Sequence, residues 1–293
     1  MKAKEIFPAI ESIAPLAFRE DWDNPGYQVG NLDRDVKKIG VTHEWVMHGP
    51  SLVKNAIDDG CDLLLGHHPV FGGPSLKFPF YLGGSLVDAR QDARNKTLLE
   101  ICRLVAESGT CIYSSHTPWD KSEGGTRDSF ATTLGVNPIL VGEPNKFRIG
   151  PVKPITISDF TKFAAEALNT NIVYCHGPDD KIIKTLAAQG GGGLGDLVPG
   201  RNPTCISDLV PPARTDIDCI IGSNASEQSK AYMRIHHPNI GYVEVHHSAS
   251  ERQGMHNMVK LLKTLLPSDI TYTYIREPAP IYTSSDGQTT TPY

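Results

Sequence analysis

The 293-residue sequence has no long apolar run and no clustered cysteines. Nothing in it approaches the ~18 consecutive apolar residues that a helix crossing a bilayer requires. The amino-terminal stretch MKAKEIFPAIESIAPL carries Glu5 and Glu11 among its apolar residues, so it lacks a signal-peptide core. Its six cysteines (Cys61, Cys102, Cys111, Cys175, Cys205 and Cys219) are scattered and form no CxxC. That argues against a secreted disulfide framework and for free thiols in a reducing compartment. A basic excess is also missing: Lys and Arg number 28 against 33 Asp and Glu, a formal charge of -5. Polyanion affinity rests on clustered Lys and Arg, so a nucleic-acid partner is not expected. No internal repeat at a solenoid period is found. These absences predict a soluble, cytoplasmic, globular protein with no membrane partner.

What is present is an alternation of short apolar strands and amphipathic helices. Ile6, Ile10, Ile13 and Leu16 recur at helical spacing and predict a helix over 3–16. DWDNPGYQVG (21–30) is turn-rich and ends in a short extended segment. Residues 38–42 read as a strand, and 51–59 as a helix capped by Ser51 and stopped by Gly60. CDLLLG (61–66) is then a fully apolar strand of the kind covered on both faces. Strand, helix, strand in this order predicts a βαβ unit, a parallel sheet and an α/β fold.

Further along, a helix near 92–107 leads to an apolar strand over 110–115. Residues 121–127 read as a loop, with a helix beginning at 128–134. From about 137 prolines and glycines mark a boundary. A helix over 158–168, strands over 181–188 and 216–224, and a strand from 241 followed by a helix to about 266 complete the pattern. The final SSDGQTTTPY is polar and expected to be mobile.

Three of these strands end in polar clusters: HHP after 66, HTPWD after 115 and HHSASE after 245. Open α/β sheets bind ligands at the carboxyl ends of their strands. His67, His68, His116, Asp120, His247 and Glu251 together form a set of nitrogen and oxygen donors. Adjacent histidines on a strand end point apart and can flank two neighbouring ions. His116 and Asp120, like His247 and Glu251, are four apart and align if a helical turn begins there. Taken singly, each motif is weak. His236-His237-Pro238 follows a helix and reads as a solvated loop. His43, His48, His176 and His256 have no carboxylate in comparable register and default to ordinary histidines. His246 alternates against His247 and faces away from it. Gly190 to Gly195 match GxGxxG, but no Lys-Ser or Lys-Thr follows, so a tight turn is favoured over a nucleotide cradle.

The order DWDNPGYQVG, LLLGHHPVF, SSHTPWDKSEGGTRD, FRIG, GGGGLGDL, GSNASEQ, HHSASERQG resembles that of the GTP cyclohydrolase 1 type 2 homologues, the Nif-three-like dinuclear metal-centre proteins. The likeness runs from about residue 5 to 266. It implies a discontinuous metal-bearing α/β domain, 1–136 with 236–293, and an inserted second α/β domain, 137–235. It also implies a toroidal homohexamer. Carried over by position, the family's ligands fall on His67, His68, His116, Asp120, His247 and Glu251. The chain departs from the family in having His246 where glycine is common, Gly222-Ser223 in place of a Gly-Glu pair, and an insertion, HEWVMHGP, over 43–50.

The leading functional expectation is therefore metal-dependent hydrolysis of a nucleotide or related small molecule, GTP cyclohydrolase-like by resemblance. Two divalent ions per chain would be held by the four histidines as terminal ligands, with Asp120 and Glu251 bridging. Glu44 and His246 are candidates for moving a proton. Imidazole and carboxylate donors suit zinc, iron or manganese, and magnesium less well. The alternative is a non-enzymatic metal protein serving storage, sensing or delivery. A ring threaded on nucleic acid is disfavoured by the acidic charge.

Overall fold

The computed structural model describes residues 1–46, 49–71, 87–140, 147–192 and 206–275, together with strand pairs 282–283 and 289–290. For 87–95 and the two terminal strand pairs only the backbone is described. The terminal segment expected to be mobile, His48 and the end of the glycine run lie partly or wholly outside these residues.

Helix α1 (Ala3–Ile13) buries Ala3, Ile6, Phe7 and Ile10. It stops before the predicted residue 16 because Pro15 bars helical geometry at Ala14, which sits at φ -133 and ψ 72. Strands β1 (Gly26–Gly30) and β2 (Lys38–Thr42) follow, then helix α2 (Pro50–Asp58). Gly49 caps α2 and Pro50 takes its first position, so Ser51 lies inside the helix and is not its cap. Strand β3 (Leu63–Gly66), helix α3 (Val87–Ser108), strand β4 (Cys111–Ser114) and the short helix α4 (His116–Lys121) come next.

Helix α5 (Thr126–Thr133) opens the remainder of the chain. Strand β5 (Arg148–Thr156), helix α6 (Ile157–Ala167), and strands β6 (Ile172–His176) and β7 (Ile182–Gly192) come after it. Strand β8 (Cys219–Ser223), helix α7 (Glu227–His236), strand β9 (Gly241–Val245), helix α8 (His247–Leu265) and strand β10 (Thr271–Tyr274) complete it.

The strands form two five-stranded sheets, ordered β1-β4-β3-β2-β10 and β5-β7-β8-β9-β6. In the first, β4, β3, β2 and β10 are parallel and β1 is the antiparallel edge. In the second, β7, β8 and β9 are parallel, with β5 and β6 as antiparallel edges. The fold is thus α/β.

The chain divides into two compact units: Met1–Ser122 with Met258–Ala279, and Glu123–Asn257 with Pro280–Tyr293. These limits differ from those read at 137 and 235. Residues 123–136 fall in the second unit because Phe130, Ala131 and Leu134 join its core. Residues 236–257 do so because β9 pairs with β8.

In the first unit Trp45, Leu52, Val53, Ala56, Leu64, Ile101, Val105 and Ile112 pack as one apolar cluster. In the second, strand alternation supplies both faces of the sheet. Cys219, Ile221, Val243 and Val245 meet Phe130 and Phe160 in one cluster, while Ile220 and Tyr242 meet Met233 and Ile149 in another. Sheets covered on both faces give the near-continuous apolar strand runs seen in the sequence. Among the described residues, no helix is long and apolar enough to cross a membrane.

Candidate metal centre

The carboxyl ends of β2, β3 and β4 are tied together by main-chain hydrogen bonds that continue past the strands. The N–H groups of His67 and His68 both donate to the His43 carbonyl, at 3.2 and 3.1 Å. His116 N–H donates to the His67 carbonyl at 2.9 Å, and Ser115 N–H to that of Gly66 at 3.0 Å. Ser114 Oγ adds a 2.6 Å bond to the His67 carbonyl. Gly66 is required here: a Cβ would fall 2.6 Å from Cδ1 and Nε1 of the fully buried Trp45.

This backbone gathers four imidazoles. The rings of His67, His68 and His116 have centroids 5.0 to 5.3 Å apart, and each offers a ligand nitrogen within 4.8 Å of the others. His43, set aside as ordinary from the sequence, lies 4.4 Å from His68 and 5.7 Å from His67, centroid to centroid.

Buried carboxylates orient two of the rings. Asp23 Oδ1 lies 2.6 Å from His116 Nδ1, while its Oδ2 accepts from the Thr117 N–H at 3.1 Å and from the Thr117 hydroxyl. Glu44 Oε2 lies 2.7 Å from His68 Nδ1, and Oε1 accepts from Val46 N–H at 2.8 Å. A carboxylate on Nδ1 keeps the proton there and turns the Nε2 lone pair outward, the tautomer a metal ligand needs. Burial opposes ionisation of both acids. For Glu44 the hydrogen bond and charge of His68 outweigh it and lower the carboxyl to about 2. For Asp23 the bonds to His116 and Thr117 also outweigh burial, and its pKa is lowered.

Helix α4 does begin at His116, as the four-residue spacing required, so His116 and Asp120 share one helical turn. Asp120 Oδ1 is 3.4 Å from Nε2 of His67, and His67 is wholly buried. Asp23, Glu44 and Asp120 are thus three buried acids, each with an imidazole nitrogen within 3.4 Å. Burying this much negative charge is costly unless protons or cations balance it. The donor chemistry fits a divalent ion.

In the second unit, helix α8 begins at His247 and brings Nε2 to 3.1 Å from Glu251 Oε2, one turn on. The Asn224 side-chain amide lies 2.9 Å from His247 Nδ1. The amide nitrogen donates to Nδ1, so at His247 it is the Nδ1 lone pair that is engaged, unlike at His68 and His116. The glycine run has its explanation here. Gly191 sits at φ +86, and a Cβ on it would come 2.8 Å from Glu251 Oε1, while one on Gly192 would come 3.2 Å from His247 Cε1. Its described part is the end of β7, left bare to admit the α8 donors. His246 joins β9 to α8, half-buried, and belongs to no candidate metal group among the described residues.

Sequence reasoning missed Asp23, Asn224 and the placement of His43. Asp23 stood in plain view in DWDN, but no spacing rule links it to His116, 93 positions away.

Together the α/β sheets and the strand-end His, Asp and Glu groups fit a metal-binding protein. The Duf34/NIF3 (NGG1p interacting factor 3) family matches residues 1–280, and the chain belongs to it. The GTP cyclohydrolase 1 type 2 homolog of Clostridium acetobutylicum is 25% identical over 280 residues, 91% of each chain. That of Clostridium perfringens is 27% identical over 203 residues, covering 66% of this chain and 70% of its own. Among solved structures, protein ybgI superposes with a TM-score of 0.73 at 20% identity, covering 96% of this chain and 100% of that one. Reduced HcgD from Methanocaldococcus jannaschii gives 0.66 at 24%, covering 94% and 98%. These two likenesses support the fold.

Proposed function

We propose that the chain holds two divalent metal ions through His67, His68, His116, Asp120, His247 and Glu251, and hydrolyses a nucleotide or a related small molecule. The observation that carries the reading is the shared orientation of two imidazoles. His68 and His116 each have Nδ1 within 2.7 Å of a buried carboxylate, which leaves Nε2 for a metal. The choice of these six residues rests on the order of the motifs in the sequence. Bound divalent ions would supply Lewis acidity and a water acidified toward neutrality, as zinc does in bringing a bound water to a pKa of about 7.

The chain's own residues do the rest. Asp23 and Glu44 hold His116 and His68 in one tautomer and one ring orientation. Both Glu44 oxygens are engaged by His68 and Val46, so Glu44 acts as a positioning residue and not as a proton carrier. Asp120 and Glu251 bring the negative charge that retains divalent ions. The mixed nitrogen and oxygen set suits zinc, iron or manganese. The names of the relatives support a nucleotide such as GTP as substrate, and the sequence resemblance supports a toroidal homohexamer. The near-complete burial of His67 and Glu251, at 0 and 2% exposure, favours a second reading in which the ions are stored or delivered.

Elemental analysis of protein purified without chelator tests the metal reading, with Asp120→Asn alongside. About two ions per protomer, lost in the variant, is the expected result. Metal retained in full by Asp120→Asn would refute the ligand set. Metal-loaded protein that turns over neither GTP nor other nucleotides would favour storage.

A further inference from the structure

We propose that His43 is a further metal ligand, giving one ring nitrogen to the ion held by His68. The inference rests on the metal-binding reading above and adds a donor outside the six residues that the family pattern supplies. His43 belongs to HEWVMHGP, the stretch by which this chain departs from that pattern.

Three observations in the first unit support it. The His43 carbonyl accepts from both His67 and His68 N–H, which fixes this residue at the strand ends beside the histidine pair. Its ring is buried, at 7% exposure, with its centroid 4.4 Å from that of His68. One nitrogen of His43 and one of His68 lie within 4.8 Å of each other. Two nitrogens bound to one zinc at ~2.1 Å each are at most ~4.2 Å apart. A few tenths of an ångström of ring movement therefore brings both onto one ion.

The neighbouring residue strengthens the case. Glu44 holds Nδ1 of His68, so the dipeptide His43-Glu44 supplies one donor and orients the next. The consequence is a nitrogen-richer sphere at one ion than at the other. Imidazole-rich sites favour zinc, cobalt or iron over manganese and magnesium. The first of these groups should therefore occupy the His68 position preferentially.

The test uses full-length protein stripped of metal and titrated with cobalt(II), followed by visible absorption and elemental analysis. Wild type is compared with His43→Gln, His43→Ala and His67→Ala, and the melting of each stripped variant checks its fold. If His43→Ala does not fold, the near-isosteric His43→Gln carries the test. Ligation by His43 predicts that one cobalt ion binds at least about tenfold more weakly in His43→Gln and that its visible band changes. A weaker ion with an unchanged band means that the ring only packs on His68, which overturns the proposal. So does a wild-type titration and spectrum. Loss of cobalt in His67→Ala with full retention in His43→Gln rejects His43 alone. Full retention in His67→Ala rejects the metal reading and this inference with it.

Discussion

The two sheets are built to one plan and finished differently. Taken from one edge to the other, they run β1-β4-β3-β2-β10 and β6-β9-β8-β7-β5. Each has an antiparallel edge strand followed by three parallel strands in descending chain order. Even the anchoring acid is repeated. Asp62, just before β3, accepts from the N–H groups of Lys37 and Lys38, while Asp218, just before β8, accepts from those of Lys184 and Thr185. The parallel strands beside those edges, β4 and β9, each lead into a helix that opens with a histidine and carries an acid four residues later, His116 with Asp120 and His247 with Glu251.

The difference lies at the other strand ends. In the first sheet β2 and β3 end in His43-Glu44 and His67-His68. In the second, β7 ends in glycine and β8 is followed by Asn224. One sheet end is loaded with donors, and the other is emptied so that one helix can present its own. A common scaffold thus fixes where donors go, and the residues just past each strand decide how many there are.

The largest effect that sharpens this contrast concerns the groups behind the imidazoles. They are carboxylates in the first unit and a neutral amide in the second. Asp23→Asn and Glu44→Gln should each weaken metal binding by about 10- to 100-fold, and Asn224→Ala by less. Competition against a chelating dye would measure all three, and equal losses would erase the distinction.

The anchoring acids come next. Asp62 carries the Arg34 guanidinium at 2.7 Å as well, whereas Asp218 has Lys181 at 3.3 Å. Asp62→Asn should cost about 1–3 kcal/mol, since its bonds involve a charged acceptor, and Asp218→Asn should cost less. Burial raises the Asp62 pKa, but the N–H groups of Lys37 and Lys38 and the Arg34 contact more than offset this, and the net shift is downward. A lowered folded-state value means that the contribution is present above the ordinary carboxylate range and is lost as pH falls through the folded value. Urea unfolding of Asp62→Asn and wild type should therefore differ at neutral pH and converge in acid. A gap that persisted at low pH would contradict this.

The smallest effect should come from Gly191→Ala. The positive φ alone costs about 1–2 kcal/mol for an L-residue, and the new methyl would press on Glu251. Gly60, also at positive φ, has nothing within 4 Å of the place a Cβ would take and provides the comparison. Gly60→Ala should lower stability similarly without touching metal affinity, and only Gly191→Ala should reduce both.

The sequence reveals the part of this that short-range periodicity can encode. The apolar runs at 38–42, 63–66 and 111–114 and the four-residue donor pairs depend on neighbours in the chain. The second-sheet edges were harder to see. β5 contains Pro151 and Pro154, which suit an edge strand with no partner on one side but look like a linker in the sequence. The supporting groups were hidden for a different reason. Asp23 and His116, or Asn224 and His247, meet only because of the strand order, and a single sequence has no marker for a contact made across a sheet. His43 has no carboxylate in register along the chain, and its neighbours in the fold are other histidines.

The hydrogen bonds that join the ends of β2, β3 and β4 are almost all made by the main chain. Side chains at positions 43, 67, 68 and 116 can therefore be exchanged during descent without dismantling the scaffold that displays them. A lineage carrying this architecture is free to try new ions, lose one, or trade a reaction for mere custody of its metal, while the polypeptide beneath keeps its course.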